Sequence, residues 1–338
     1  MPVLGLFSND IAIDLGTANT LIYMKGKGIV LNEPSIVSYN VNTRKIEAIG
    51  EEAKKMMGRV HKELNTIRPM RDGVIADFEM AEGMIKEFIK KISSSLMPAR
   101  RIVICVPSGI TEVEKRAVRD TAEHAGAKEV HLISEPMAAA IGIGLDVHAP
   151  YGNMIVDIGG GTTEIAVIAL SGITNVVSIR IAGDELTDAI IRFFRSNQNM
   201  LIGERTAEDI KCQAGSVMPL EEEVIIEVKG RDLVAGVPKL TEVSSIEIRE
   251  ALNAPVNTMV EAVRVALEKT APELSSDILG RGIFLTGGGA LLKGLDERIK
   301  VETGVPVHVA DDPLTAVVRG TGKVLEDLNA YKKVMLKR

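Results

Sequence analysis

The chain has 338 residues, 46% of them hydrophobic and 25% charged, a composition typical of folded chains and a length that points to two domains rather than one core. A formal net charge of -6 with only 3% aromatic residues excludes an extended nucleic-acid surface, which needs clustered Lys and Arg and stacking aromatics. No apolar run approaches the roughly 18 residues that span a bilayer, and "MPVLGLFSND" has neither the basic region nor the cleavage site of a secretory leader. A cytoplasmic or peripheral membrane location is therefore expected.

Absence of Trp predicts an aliphatic, Met-filled core. Cys105 and Cys212 read as buried small hydrophobes in a reducing compartment, and five scattered His exclude a zinc site.

In chain order, "DIAIDLGTANTLIYMKGKGIVL" predicts two strands joined by a glycine turn at Gly16 to Asn19. In "EMAEGMIKEFIKKI", Met80, Met84, Ile85, Phe88, Ile89 and Ile92 share one helical face. "RIVICVPSG" reads as a buried strand, and "TEVEKRAVRDTAEHAG" as a helix capped by Thr111 and Glu114 and stopped at Gly126. The strand "EVHLIS" and the helix "EPMAAAIGIG", with Pro136 in its first turn, complete an α/β alternation.

"GNMIVDIGGGTTEIAVIAL" then repeats the opening plan. Asp14 aligns with Asp157, Gly16 with Gly159, Asn19 with Thr162 and Thr20 with Thr163, so the chain reads as two similar halves. "GDELTDAIIRFFRSN" and "TAEDIKCQAG" are helical by pattern, "EVIIEV" and the stretch from Leu233 to Val237 read as strands, and "VSSIEIREALNAPVNTMVEAVRVALEKT" as a long helix. "GIFLTGGGALLKGLDERI" gives a strand, a triple-glycine turn and a helix, and Asp312 to Lys337 a helical tail expected to pack on the first domain.

Each glycine hairpin alone reads equally as an anion nest for phosphate or as a tight turn. Two related hairpins and a third glycine turn, each at a strand end, favour the nucleotide reading. No G-x-x-x-x-G-K-[ST] exists, and the first two glycine loops join strand to strand, not strand to helix. That excludes a P-loop and a dinucleotide fold. Asp14 and Asp157 alone would be turn initiators; as a matched pair facing one cleft they suit a water-mediated Mg²⁺.

"IDLGTANT", "VDIGGGTTE", "SEPMAAAIG" and "LTGGGALLKG" resemble the two phosphate motifs, the connecting helix and the adenosine motif of the actin, Hsp70 and sugar-kinase superfamily. "SNDIAIDLGTANTLIYMKGKGIVLNEPS", "RPMRDGVIADFEMAEGMIKEFI" and "IVDIGGGTTEIAV" narrow the likeness to the bacterial actins of the MreB family, Mbl-type paralogues included, over the whole chain. The resemblance implies an α/β, actin-like duplicated fold: two domains, each a mixed sheet flanked by helices, with a nucleotide cleft between. Domain I is expected at residues 1–147 plus 315–338, with an insertion at about 33–68, and domain II at 148–314, with an insertion at about 181–244.

It further implies that Gly16, Thr17, Ala18 and Asn19 form the first phosphate loop and Gly159, Gly160, Gly161 and Thr162 the second, with Gly287, Gly288, Gly289 and Ala290 beside the adenosine. Glu208, Asp209, Ile210 and Lys211 match the helix that contacts ribose and adenine; by residue type alone, Glu208 and Lys211 are an i,i+3 surface ion pair. Glu135 stands where the superfamily has a Gln or Glu near the terminal phosphate, and with Thr162 is expected to orient the attacking water. A helix N-terminal acid favoured by the dipole is its plain alternative.

The implied function is an ATP-binding, polymerising actin homologue with slow, assembly-coupled hydrolysis of Mg-ATP. Its filaments would lie on the inner face of the cytoplasmic membrane, organise cell-wall synthesis with membrane proteins of the elongation machinery, and maintain rod shape. In "SSSLMPARR", Leu96 and Met97 are either a loop tucked on the core or, as the family implies, a membrane-inserting loop, with Val3, Leu4, Leu6 and Phe7 as possible helpers. A small-molecule kinase of the same superfamily would need a further base for the acceptor hydroxyl, and no additional Asp-centred motif offers one. A chaperone-like ATPase would need a peptide-binding domain after the last helix, and a membrane adaptor a longer terminal helix than "NAYKKVMLKR".

Overall fold

The computed structural model describes residues 10–92 and 101–337. The expected membrane residues Leu96 and Met97, and the N-terminal Val3 to Phe7, lie outside them. The first half opens with an antiparallel meander, β1 (Ile11–Leu15), β2 (Asn19–Met24) and β3 (Gly28–Pro34). A small three-stranded sheet of β4 (Val37–Asn40), β5 (Ile46–Ile49) and β6 (Leu64–Ile67) carries helix α1 (Gly50–Met56). A short ribbon, β7 (Met70–Arg71) with β8 (Val74–Ile75), leads into α2 (Phe78–Ile92). Next come β9 (Arg101–Val106), α3 (Glu112–His124), β10 (Glu129–Ser134) and α4 (Glu135–Gly142).

The second half repeats the plan with β11 (Asn153–Ile158), β12 (Thr163–Ala169) and β13 (Gly172–Ile179), followed by α5 (Gly183–Asn197). Its additions are β14 (Met200–Leu201), α6 (Glu204–Ala214), β15 (Ile225–Asp232) and β16 (Pro238–Ser244). Helices α7 (Ser245–Glu268) and α8 (Pro272–Arg281), then β17 (Ile283–Thr286), α9 (Leu295–Thr303), β18 (Val307–Val309) and α10 (Ala316–Glu326), complete the chain.

The two main sheets have one topology. Their orders are β10-β9-β1-β2-β3 and β18-β17-β11-β12-β13, each an antiparallel meander continued by two parallel strands. Both meanders place their acid at equivalent register, Asp14 opposite Leu21 and Asp157 opposite Glu164. Parallel strands require crossover helices, which cover the sheet faces and bury both sides of β11 and β12.

The helices follow from their sequences. Met80, Met84, Ile85, Phe88 and Ile89 of α2 are buried in the first core with Ile13, Ile22, Ile102 and Ile104. In α3 the Thr111 hydroxyl accepts the Glu114 N–H at 3.3 Å and the Glu114 carboxylate accepts the Thr111 N–H at 2.8 Å, a reciprocal cap of about 1 kcal/mol. The second core is likewise aliphatic, with Met154, Val156, Ile165, Ile190 and Phe194 fully or nearly fully buried.

A third cluster joins the halves, combining Val103 and Ile133 of the first sheet with Ile155, Ala166 and Ile168 of the second, around α4 and α10. The tail packs on the first sheet as expected, yet its α-helix covers only Ala316–Glu326, with turns beyond. Helices α4 and α10 meet backbone to backbone. A Cβ on Gly320 would fall 1.7 Å from the Ala138 carbonyl oxygen, and one on Gly142 would fall 1.8 Å from that of Ala316. Lys323 Nζ caps the end of α4 by donating to the carbonyl of Ile141 at 2.9 Å.

Two expectations are corrected. Leu233 to Val237 is not a strand but the turn between β15 and β16, set by Asp232 Oδ1 accepting the N–H groups of Val234 and Ala235, each at 2.8 Å, and by Gly236 at φ +74. Cys105 is buried, whereas Cys212 is exposed, because α6 buries Ala207, Ile210 and Ala214 on its other face.

Candidate functional site

The phosphate-loop candidates meet where the halves face each other. A Cβ on Gly160 would lie 2.8 Å from the Ala18 Cβ, and one on Gly161 would lie 2.7 Å from Thr17 Oγ1, so the loop 16–19 and the loop 159–162 touch directly. Each is braced from behind. Ser35 donates to the Gly16 carbonyl at 2.7 Å, and the Asp184 N–H at the start of α5 donates to the Gly160 carbonyl at 2.8 Å. The β7–β8 turn wedges in as a third part: the Gly73 N–H donates to Thr17 Oγ1 at 3.1 Å, and its Cα side faces Pro107 and Thr162. Small residues are needed here because backbone approaches backbone.

Behind the second loop, one register line crosses four strands, running Ser178, Glu164, Asp157, Thr286. Side chains at one register share a sheet face. Thr286 donates to Asp157 Oδ1 at 2.8 Å, and Ser178 donates to Glu164 Oε1. In the first half, Cys105 Sγ lies 3.3 Å from Asp14 Oδ1. Burial raises the Asp14 carboxyl to about 6, against the thiol's opposing effect. Burial also raises Asp157 to about 7, opposed by the Thr286 hydroxyl and reinforced by the charges of Asp14 and Glu164. Glu135, first residue of α4, is pushed well above the usual carboxylate range by burial and then by Glu164, Asp157 and Asp14. Burial thus disfavours the charged forms of Asp14, Asp157 and Glu135, which favours a counter-cation or bound protons there.

The adenosine-side candidates form one wall. Gly287, at φ +78, turns the chain so tightly that a Cβ there would sit 2.9 Å from Asp157 Oδ1, and one on Gly289 would strike Ile158. Gly288 and Ala290 form the short 3-10 turn that follows. Three residues past α6, the Val217 N–H donates to the Lys293 carbonyl at 2.9 Å, joining the segment after α6 to the segment after this turn. On α6, Asp209 and Ile210 lie between the paired Glu208 and Lys211, with Ile210 buried in the core. Lys211 Nζ binds Glu208 Oε2 at 2.7 Å, as an i,i+3 pair, and also reaches the Gly183 carbonyl at 2.9 Å. The pair is therefore built into the base of α5, the helix that braces the second loop. Across the outer rim, Arg68 binds Glu204 Oε1 at 2.7 Å, linking the ends of β6 and α6 from opposite halves.

The family model described as MreB/Mbl protein matches residues 8–333. The chain belongs to the MreB/Mbl family. It is 54% identical over 333 residues to the cell shape-determining protein MreB of Escherichia coli (strain K12), spanning 97% of this chain and 96% of that protein. It is 49% identical over 329 residues to the cell shape-determining protein Mbl of Bacillus subtilis (strain 168), spanning 97% and 99%. Among solved structures, MreB5 of Spiroplasma citri bound to ADP superposes with a TM-score of 0.91 at 38% identity, covering 96% of this chain and 97% of that one. The MamK double helical filament, at 23% identity and TM-score 0.80, shares the fold. The MreB/Mbl fold is therefore actin-like, and membership favours a cell-shape role over the small-molecule kinase alternative.

Sequence reading did not single out Glu164, Ser35, the Asp72–Gly73 turn or the Arg68–Glu204 pair. Glu164 was legible in principle: the alignment that sets Thr20 on Thr163 sets Leu21 on Glu164, an acid where the duplicate half has an aliphatic residue.

Proposed function

We propose that this MreB/Mbl chain binds Mg-ATP between its two halves, hydrolyses it slowly, and assembles head to tail into filaments that serve cell shape. The observation that carries the reading is the meeting of two glycine loops in front of Asp14, Asp157 and Glu135. MreB5 of Spiroplasma citri, which shares this fold, is bound to ADP in one structure and to AMPPNP in another, which supports nucleotide binding by this chain.

In this reading the loops 16–19 and 159–162 hold the phosphates through their N–H groups, except that of Gly159, which closes its own turn on the Thr162 carbonyl at 2.9 Å, and the turn at Gly287 with the Glu208–Lys211 helix receives the nucleoside. Asp14 and Asp157 present only hard oxygen donors from both sides of the cleft, which fits Mg²⁺. Bound there, Mg²⁺ would neutralise phosphate charge. Glu135, the first residue of α4, takes the role of base toward the attacking water, while Thr162 orients the same water. Non-closing head-to-tail contacts generate filaments.

The domain limits proposed are 1–147 plus 315–338 and 148–314, with insertions at about 33–68 and 181–244. Leu96 and Met97 are proposed to attach filaments to the inner face of the cytoplasmic membrane, beside membrane proteins of the elongation machinery. Among the described residues no helix is long and apolar enough to cross a membrane. The deciding experiment is sedimentation and electron microscopy of the purified protein with Mg-ATP, alongside phosphate release. No polymer and no phosphate above background would overturn the reading.

A further inference from the structure

One member of the polar row has no part in holding nucleotide or metal. Glu164 is 0% exposed, and both its oxygens are committed: Oε1 accepts the Ser178 hydroxyl, and Oε2 accepts the Ser108 N–H at 3.0 Å. Ser178 lies on β13 of the same half, while Ser108 lies in the loop after β9, in the other half. Glu164 therefore ties that loop to the second sheet. The contact continues at the next residue, where a Cβ on Gly109 would meet the Ser178 side chain at 3.6 Å.

The internal duplication supplies a control. The position equivalent to Glu164 is Leu21, which faces Asp14 as Glu164 faces Asp157, and is also buried. The same hairpin thus folds around an aliphatic side chain. Burying a carboxylate is unfavourable even when it is hydrogen-bonded, so packing alone gives no reason for an acid there. What the acid adds is the reach across to Ser108. Strands β9 and β10 pair Val106 with Ser134, so Glu135 stands level with Pro107, one residue from the tied N–H. Pro107 also flanks the β7–β8 turn that touches Thr162.

We propose that Glu164 is a positioning residue: by holding the Ser108 backbone against β12, it fixes the distance between Glu135 and Thr162 as the cleft closes. This rests on the reading of Glu135 and Thr162 as the pair that orients water.

The test uses the full chain with Glu164→Leu, which copies the other half, and Glu164→Gln, which keeps an acceptor for the N–H without the charge. Without nucleotide, amide exchange at Ser108 should accelerate about tenfold or more in Glu164→Leu and stay within about threefold of wild type in Glu164→Gln. At saturating Mg-ATP, single-turnover phosphate release should fall about tenfold or more in Glu164→Leu and recover to within about threefold in Glu164→Gln, with ATP Kd within about threefold in both. A merely structural residue would lower the unfolding temperature and the affinity together.

Wild-type release by Glu164→Leu, unchanged exchange at Ser108, or a Glu164→Gln as slow as Glu164→Leu would each overturn the proposal. Should Glu164→Leu fail to fold, the Glu164→Gln arms and Ser178→Ala decide: Ser178→Ala frees one oxygen and should slow release about threefold, and no change would overturn it. If wild-type protein released no phosphate, the reading of Glu135 would fall, and the exchange arm alone would decide whether Glu164 joins the halves.

Discussion

Thr286 Oγ1 lies 2.8 Å from Asp157 Oδ1 and donates to it across the parallel β11–β17 pair. At the same position of the first sheet, the weaker Cys105 thiol stands 3.3 Å from Asp14 Oδ1. Thr286→Val keeps the branched shape and removes the donor. A hydrogen bond to a charged group contributes about 1.5–3 kcal/mol, so Mg-ATP affinity at neutral pH should fall at least about tenfold. Titration with a fluorescent ATP analogue measures this, and an unchanged affinity would remove Asp157 from the metal site.

The raised carboxyls make stability depend on pH in an unusual direction. Asp14 at about 6 and Asp157 at about 7 hold protons in the folded chain that the unfolded chain, near 3.8, has released. Their favourable contribution is full below about pH 4 and is lost as pH rises through 6 to 7. Without nucleotide, the unfolding temperature should decline from pH 5 to pH 8, and Asp157→Asn should flatten that decline. Parallel wild-type and variant curves would contradict it.

Glu135→Ala removes the proposed base while leaving the phosphate loops intact. Phosphate release should drop by about 10²- to 10⁴-fold with nucleotide affinity preserved, and filaments formed with ATP should persist longer. Quench-flow and sedimentation time courses read the two effects separately.

Arg68 and Glu204 bridge the outer rim of the cleft with partly exposed side chains, so the pair contributes at most about 1 kcal/mol. Arg68→Glu should speed nucleotide release up to about fivefold, and adding Glu204→Arg should restore it. Stopped-flow release rates of the four proteins, closed into a double-mutant cycle, measure the coupling.

Leu96→Ser with Met97→Ser should abolish co-pelleting with anionic liposomes and leave ATP affinity unchanged. Each side chain is worth roughly 1.5–3 kcal/mol when buried, so attachment should require polymer. Equal pelleting of the variant would reject the loop as the anchor.

Much of this arrangement was legible in the residues. The helical face of α2, the Thr111–Glu114 cap and the two Asp-x-Gly hairpins announce themselves because each rests on local periodicity or backbone chemistry. Leu233 to Val237 misled because its Leu and Val residues suit a strand by type while the neighbouring turn residues set the backbone. Val234 is 86% exposed, and Asp232 with Gly236 decides the local shape. Glu164 and Arg68 were hidden for another reason: their partners, Ser108 and Glu204, lie 56 and 136 residues away. Only tertiary contact gives those side chains meaning.

The glycine contact between α4 and α10 leaves the halves joined by two chain passages that cross at almost no distance from each other. Helix α4 follows the first sheet and leans on β11 and β12, while α10 follows the second sheet and leans on β1, β2 and β9. With backbone lying on backbone at that crossing, any side chain larger than hydrogen at Gly142 or Gly320 would push the two helices apart, so the spacing of the two halves is set at this one point by the absence of two Cβ atoms.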